Sequence, residues 1–183
     1  MKKKVLSEIT LYTGEVKMPK YFDINRPELK ADILSSFINQ KTISKNNMDY
    51  SFLDYEVPYS KSLDMLHTYI RENFFLENEK TLILQKSFGN ILNINEQSFS
   101  RSLVEPLDLK HSPDFVMVYG VDVQPNSSTV VIEYDDNRRA NRTWHVPIEN
   151  NKFVIFTSKQ KFFISQNISK EQNIFLISTF NYI

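Results

Sequence analysis

Apolar residues along this chain follow two periods, and the period changes at about residue 80. Before that point they recur every three or four positions, which is the spacing of amphipathic helices. After it they alternate with polar residues in short runs separated by turn-forming residues, which is the spacing of strands. The pattern predicts a single domain over residues 1–183, in which residues 1–80 form a flank of strand and helices and residues 81–183 form a β core.

The flank begins with a predicted strand pair over residues 5–16 that turns at Thr13-Gly14. A helix is predicted from Asn25-Arg26-Pro27 onward, because proline suits the first turn of a helix. A polar loop is predicted to follow over residues 41–49. The apolar stripe of this first helix consists of Leu29, Ile33, Leu34, Phe37 and Ile38.

A second helix is predicted from about Ser60 to Phe75, with Ser60 or Ser62 as its N-terminal cap. Its apolar residues keep the spacing of one helical face. They are Leu63, Leu66, Ile70 and Phe74. The β core then starts with a strand at Thr81, and an irregular polar stretch is predicted from Gly89 to Leu107.

Short strands in close succession are predicted for the rest of the core, with turn-like joints between them. They cover residues 115–123, 129–134, 143–148, 152–157, 161–165 and 173–181. Alternation along the first of these strands places one set of residues on a single face: Phe115, Met117, Tyr119, Val121 and Val123. Core residues are expected among Phe153, Ile155, Phe162, Ile164, Leu176 and Phe180. Two helices followed by evenly spaced strands predict helices packed on a β-sandwich or jelly roll.

Composition narrows the classes of function. The 22 basic and 22 acidic residues cancel, whereas nucleic-acid binders normally carry a basic excess, so no specific nucleic-acid ligand is expected. A net charge near zero also gives weak repulsion between copies or neighbours, which favours association. The chain has no cysteine, which excludes disulfides, thiolate zinc sites and cysteine nucleophiles. Neither a secretory signal nor an apolar stretch of about 18 residues is found, so we expect a cytosolic protein with no membrane partner.

The later part of the chain resembles a known family. The resemblance rests on four segments: Tyr119-Gly120-Val121, Trp144 to Pro147, Phe153-Val154-Ile155-Phe156-Thr157-Ser158 and Ser178-Thr179-Phe180-Asn181. They look like the C-terminal half of small phage-encoded proteins related to 2-oxoglutarate/iron oxygenases. That family adopts the double-stranded β-helix, a jelly roll, so the resemblance implies a mostly β jelly roll with two N-terminal helices.

A second resemblance is to proteins of contractile-tailed marine cyanophages, and it spans the whole chain. It rests on the runs Asp135-Asp136-Asn137-Arg138-Arg139 and Glu149-Asn150-Asn151-Lys152-Phe153.

The resemblance also states which residues an active oxygenase would need. Two histidines and a carboxylate would hold iron, and an arginine would pair with the 2-oxoglutarate carboxylate. Near the first ligand pair only His111 is present, followed by Ser112-Pro113-Asp114 instead of a ligand motif. The second histidine's segment reads Lys159-Gln160-Lys161-Phe162-Phe163, and the arginine's strand reads Asn173-Ile174-Phe175-Leu176-Ile177. We therefore expect no catalytic residues, no metal and no cofactor, and a cavity filled by the rings of Phe162 and Phe163.

The remaining histidines and acidic residues have plain interpretations beside their functional ones. His67, next to Leu66 and Ile70, is expected at the helix surface or boundary, and His145 alternates with Trp144 on a strand. A cation site at Glu133, Asp135 and Asp136 is the alternative to a hairpin tip whose acidic residues are balanced by Arg138, Arg139 and Arg142. No Gly-rich phosphate loop is found among the 3 glycines.

These observations favour a protein that acts through contacts with other proteins. Arginine and tryptophan are enriched at such contacts, so the interface candidates are Arg138, Arg139, Arg142, Trp144, Tyr182 and Ile183, the last two where a terminal strand could pair with a neighbour. The preferred function is a phage virion structural or assembly protein, located in the virion and assembled in the host cytoplasm. Its expected partners are other phage structural proteins or copies of itself, with no small-molecule substrate. A small-molecule-binding or oxygenase-like enzyme, and a phage factor that binds a host protein, are the alternatives.

Overall fold

The computed structural model describes residues 9–17, 24–43, 55–104, 107–135 and 140–183. This part of the chain forms two helices, α1 (Arg26–Ile43) and α2 (Lys61–Asn78). Its strands are β1 (Leu11–Glu15), β2 (Tyr55–Glu56), β3 (Leu82–Leu92), β4 (Phe115–Asp122), β5 (Thr129–Tyr134), β6 (Arg142–Pro147), β7 (Lys152–Thr157), β8 (Lys161–Ile164) and β9 (Asn173–Tyr182). Among the described residues, neither helix combines the length and the hydropathy that crossing a membrane requires.

The strands form two antiparallel sheets. The larger sheet has six strands in the order β1-β7-β4-β9-β3-β2, and the smaller has three in the order β6-β5-β8. A bridge between Arg101 and Phe162 adds the segment before β4 to the free side of β8. From β3 onward the chain therefore crosses repeatedly between the two sheets, which is the winding of a jelly roll. The prediction of a mostly β jelly roll preceded by two helices is confirmed.

Helix α2 forms where the sequence predicts it, because its ends carry clear signals. Ser60 caps it, with the side-chain oxygen accepting a hydrogen bond from the amide of Leu63 at 3.3 Å. Glu79 ends it in a left-handed conformation, and its amide donates to the carbonyl of Phe75. The predicted apolar residues of this helix are all buried: Leu63, Leu66, Ile70 and Phe74.

Helix α1 differs in part from the prediction. Leu29 and Ile33 are buried and anchor it, whereas Ile38, predicted to share their stripe, is 59% exposed. The helix continues to Ile43, past the point where a polar loop was expected to begin. The rest of that predicted loop lies outside the described residues.

Apolar side chains form two layers, one on each face of the larger sheet. The helix-side layer lies under α1 and α2, and β4 contributes Phe115, Met117, Tyr119 and Val121 to it, as predicted. The inter-sheet layer lies between the two sheets and receives Val116 and Val118 from the same strand. Val123, predicted on the same face as those four residues, lies in the inter-sheet layer, because the register shifts between Gly120 and Asp122. Of the six predicted core residues, five are at most 1% exposed and Phe153 is half-buried.

Two glycines lie inside strands although the sequence predicts a turn at Gly14 and the start of an irregular stretch at Gly89. Gly14 belongs to β1 and is paired with Phe153, and Gly89 belongs to β3, so the predicted turn and irregular stretch are wrong at these points. A Cβ atom on Gly14 would lie 2.5 Å from Phe153 Cζ, and one on Gly89 would lie 2.4 Å from Ile33 Cγ2. Both glycines are therefore required by close packing in a strand, not by a turn.

Candidate functional site

An apolar cavity of about 380 Å³ opens between the edge strand β1 of the larger sheet and the edge strand β6 of the smaller one. We call it the mouth cavity, because it is an opening into the space between the two sheets. One wall comes from β1 and the residues before it, and the opposite wall comes from β5 and β6. The lining residues are Ile9, Thr10, Leu11, Ile132, Tyr134, Trp144, Phe156 and Gln160.

Strand pairing places Trp144 at this opening. Trp144 lies opposite Ile132, which in turn lies opposite Phe162, so the three side chains share the inward face of the smaller sheet. Ile132 and Phe162 are buried in the inter-sheet layer, but Trp144 is 56% exposed, because β6 is the edge strand. The tryptophan therefore offers an apolar wall that is not covered by the described part of the chain.

A second, more polar cavity of about 370 Å³ adjoins the mouth cavity and shares Ile9, Tyr134 and Gln160 with it. We call it the rim cavity; it is also lined by Glu133, Asp135, Asn141, Lys159 and Lys161. Its carboxylates are already engaged: Glu133 accepts a hydrogen bond from the hydroxyl of Ser100 at 2.9 Å, and Asp135 accepts one from the amide of Asn141 at 2.8 Å. The exposed lysines 159 and 161 form no ion pair with another described residue.

The space behind the mouth cavity is filled by rings. Phe156 and Phe162 pack edge to face with their centroids 5.1 Å apart, and both are 1% exposed. The expectation that Phe162 fills the interior is confirmed. Phe163 lies opposite Val131 on the outer face of the smaller sheet and is half-buried, so the same expectation is wrong for Phe163.

The residues at the mouth do not fit an iron site. Where the resemblance places the second histidine, Gln160 lines the cavity, and its side-chain oxygen accepts a hydrogen bond from the hydroxyl of Thr157. His111 is exposed, pairs with Asp108 at 2.7 Å and is not one of the residues that line the cavity. Within the described ranges no three His, Cys, Asp or Glu side chains converge on a common point. We therefore derive no chemistry through a metal.

The segment where the resemblance places the family's arginine begins with Asn173, which is equally unsuited to bind a carboxylate. Asn173 is fully buried at the start of β9. Its side-chain amide donates to Ser127 Oγ at 2.7 Å, to Ser128 Oγ at 2.9 Å and to Asn167 Oδ1 at 3.0 Å. Its oxygen accepts the amide of Gln124 at 3.1 Å. Asn173 thus holds two loops together, and its hydrogen bonds are used within the chain.

The buried histidine of this fold is His67, and its predicted position at the helix surface or boundary is wrong. His67 is 3% exposed and lies between α2 and the larger sheet. Its Nε2 lies 3.0 Å from Ser178 Oγ, and Ser178 Oγ lies 3.1 Å from Ser87 Oγ. Burial, and to a lesser extent the charge of Arg71, lower the pKa of His67 from 6.5 to about 4. The helical spacing of His67 to Leu63, Ile70 and Phe74 was the signal that could have revealed its burial.

The structure separates the predicted interface residues into two groups. Arg142 and Trp144 are exposed on the same edge strand, β6. Tyr182 and Ile183 are 44% and 79% exposed beside β3, where the amide and carbonyl of Ile183 both pair with Thr81 at 3.1 Å. The backbone of the terminal strand is therefore already paired within this chain, so it does not offer a free strand edge to a neighbour. Arg138, Arg139 and Asp136 lie outside the described residues.

Comparisons with known proteins identify the fold in which this site lies. Neither protein-family models nor curated protein sequences give a match. Among solved structures, the chain is similar to a Pseudomonas putida prolyl-4-hydroxylase, with 10% identity, 93% of this chain and 92% of that chain covered, and a TM-score of 0.60. It is also similar to the non-heme α-ketoglutarate-dependent carbocyclase SnoK from nogalamycin biosynthesis, with 8% identity, coverage of 93% and 79%, and a TM-score of 0.65.

A third similar structure is an oxidoreductase of the 2-oxoglutarate/Fe(II) oxygenase family from Burkholderia pseudomallei, with 9% identity and a TM-score of 0.51. The match covers 68% of this chain and spans only 59% of that protein's length. At such identities the likeness is one of fold. The chain therefore has a jelly-roll fold similar to the fold of these oxygenases, with a mouth cavity between its two sheets.

Proposed function

We propose that this protein is a non-catalytic jelly roll that acts through protein–protein contacts, as a structural or assembly protein of a phage virion. The observation that carries the proposal is at the mouth: the segment where the resemblance places a metal-binding histidine contributes Gln160 to the cavity, and the rings of Phe156 and Phe162 fill the space behind it. An oxygenase-type fold with these side chains has lost the groups that its chemistry requires.

The exposed surface supports a contact role. Trp144 is large, rigid, 56% exposed and next to an apolar cavity, and Arg142 lies two residues before it on the same strand. Tryptophan and arginine are over-represented among residues that dominate binding energy at protein interfaces. The runs similar to cyanophage proteins indicate that the partners are other phage structural proteins or copies of this chain, assembled in the host cytoplasm.

Mass spectrometry of purified phage particles tests this proposal. A virion component should be present in a fixed stoichiometric ratio to known structural proteins of the particle. Its absence from particles, together with co-purification with one bacterial protein from infected cells, would replace the proposal with a phage factor that binds a host protein.

A small-molecule-binding or oxygenase-like enzyme is the second candidate, favoured by the position of an apolar cavity of about 380 Å³ at the open mouth of the fold. This candidate requires ligands for iron beyond the described side chains that line the cavity. Consumption of 2-oxoglutarate by the purified protein supplied with Fe(II) and ascorbate would support it over the contact role.

A further inference from the structure

The outer edge of β6 is open. β6 ends the smaller sheet, and four of its six residues, Arg142 to His145, are exposed. Within the described residues the only backbone partner of this strand is β5. An edge strand with unpaired amides and carbonyls is a template for a further strand, unless a charge, a proline or a bulge protects it. The single charged residue of β6 is Arg142, at its start, and its single proline is Pro147, at its end, so residues 143–146 carry neither.

Hydrogen bonds of β5 identify which groups of β6 point outward. The carbonyl of Thr129 accepts the amide of Ser165, on the β8 side, whereas the carbonyl of Ser128 accepts the amide of Ile148, on the β6 side. Because backbone groups alternate in direction along a strand, residues 130, 132 and 134 bond to residues 146, 144 and 142 of β6. The amides of Thr143 and His145 therefore point away from β5, toward the open edge.

The mouth cavity lies directly beneath this edge. Leu11 of β1 packs against the inter-sheet layer but is only half buried, since in the described chain no strand beyond β6 covers it. In a strand added beside β6, the residue opposite Trp144 would turn its side chain to the same face as Trp144. That side chain would enter the mouth cavity and contact Leu11 and Phe156.

The lysines of the rim cavity favour a partner strand that carries acidic residues. Lys159 and Lys161 are exposed and form no ion pair with other described residues, while the carboxylates of Glu133 and Asp135 are engaged within the chain. A second copy of β6, which has no carboxylate, would bring no counter-charge to these lysines. An acidic partner segment would, and the charges would also favour its encounter with the site.

We propose that β6 accepts an extended segment of a different protein as a fourth strand of the smaller sheet. This segment alternates apolar and polar residues and inserts an apolar side chain into the mouth cavity opposite Trp144. Where it passes Asn141, the residue before β6, it places a carboxylate at the rim cavity that Lys159 and Lys161 also line. The proposal rests on the proposed contact function and names the surface and the chemistry of the partner.

A blocked synthetic peptide serves as the probe: leucine and threonine alternate over its centre, and an aspartate stands at each end. Added to the full-length protein, it should slow amide hydrogen exchange at Thr143 and His145 by about tenfold or more. The amides of Trp144 and Val146, which are already bonded to β5, should be unchanged. A peptide of the same composition with its leucines adjacent is the control. Equal protection by both peptides, or no protection at saturating concentration, would overturn the proposal.

Two substitutions at His145 distinguish backbone hydrogen bonding to the added strand from side-chain packing against it. His145→Pro removes an outward amide that bonds to nothing in the described chain, so it should keep the melting temperature and abolish peptide binding. His145→Ala keeps the amide and should bind the peptide like the wild type. Binding by the proline variant would refute strand addition. Protection of Thr143 and His145 without peptide, rising with protein concentration, would instead identify a second copy as the occupant and overturn the proposal.

Incorporation into particles distinguishes this inference from the proposed function. If wild-type protein is present in virions and the His145→Pro variant is lost from them, the virion role and the strand-addition proposal are both supported. Normal incorporation of the proline variant would overturn the strand-addition proposal alone. Absence of the wild-type protein from particles would overturn the virion role, whatever the peptide experiment gives.

Discussion

Ile132 and Trp144 lie opposite each other on neighbouring strands and face the same side of the smaller sheet, yet Ile132 is 4% exposed and Trp144 is 56% exposed. The difference arises because β5 is flanked on both sides and β6 on one. A large aromatic side chain at an uncovered edge leaves apolar surface in water, which proteins usually use for a contact.

The packing of the interior predicts unequal effects for two adjacent phenylalanines. Phe162→Ala should lower the free energy of unfolding by ~3–5 kcal/mol, because it leaves a cavity beside Phe156 in the inter-sheet layer. Phe163→Ala, on the outer face, should cost clearly less. Urea denaturation of both variants measures the difference, and equal losses would show that the faces of β8 are assigned wrongly.

The buried histidine predicts a specific loss of stability in acid. The pKa of His67 is about 4 in the fold against 6.5 in the unfolded chain, so below pH 6.5 the unfolded state binds more protons. The contribution of His67 to the free energy of unfolding is complete above pH 6.5. As the pH is lowered toward 4, the free energy of unfolding should fall by about 3 kcal/mol.

His67→Gln keeps an amide that can bond to Ser178 but cannot titrate, and it serves as the matched control. The difference in unfolding free energy between wild type and variant, measured across this range, removes the contribution of the carboxylates. A difference that does not change with pH would show that His67 is not the titrating group.

The side chains at the mouth predict the outcome of metal analysis. The purified protein should carry no stoichiometric iron and should not turn over 2-oxoglutarate, because the segments where the resemblance places the second histidine and the arginine, residues 159–163 and 173–177, contain neither residue type. Elemental analysis and oxygen-consumption assays measure both. One iron per chain that is lost on His111→Ala would contradict the prediction.

The hairpin between β5 and β6 predicts an effect on assembly. Arg138→Glu combined with Arg139→Glu should leave the isolated domain folded and remove it from purified particles, because interface arginines are frequent anchors. Lys110→Glu combined with Lys170→Glu, two exposed lysines elsewhere, is the charge-matched control. Normal incorporation of the double arginine variant would exclude the hairpin tip as the contact.

Local signals in the sequence were enough for most of the fold. The strand bounds of β5 and β7 follow from alternation and from flanking turn residues, and α2 follows from Ser60 and its apolar stripe. The errors at Gly14 and Gly89 share one cause: each glycine was assigned outside regular strand structure, whereas each makes room for a side chain from a distant element. That requirement is set by tertiary packing and leaves no local signal.

The candidate site was predictable only in part. Trp144 was identified from its residue type, which does not indicate a cavity, and Gln160 was not identified as a site residue at all. The mouth exists because β1 pairs with β7 while β6 pairs with β5, which brings residue 11 near residue 144. Pairings over such sequence separations depend on the whole fold. The burial of His67 was missed because histidine is common on helix surfaces.

The position of β9 has a consequence for how the domain forms. β9 lies between β3 and β4 and makes the contacts that join them, although it follows both in the chain by about fifty residues or more. On the ribosome, the edges of β3 and β4 that pair with β9 have no partner strand until residues 173–182 emerge. Completion of the larger sheet is therefore a late event in synthesis, and until then these two strand edges are open to wrong partners and to chaperones.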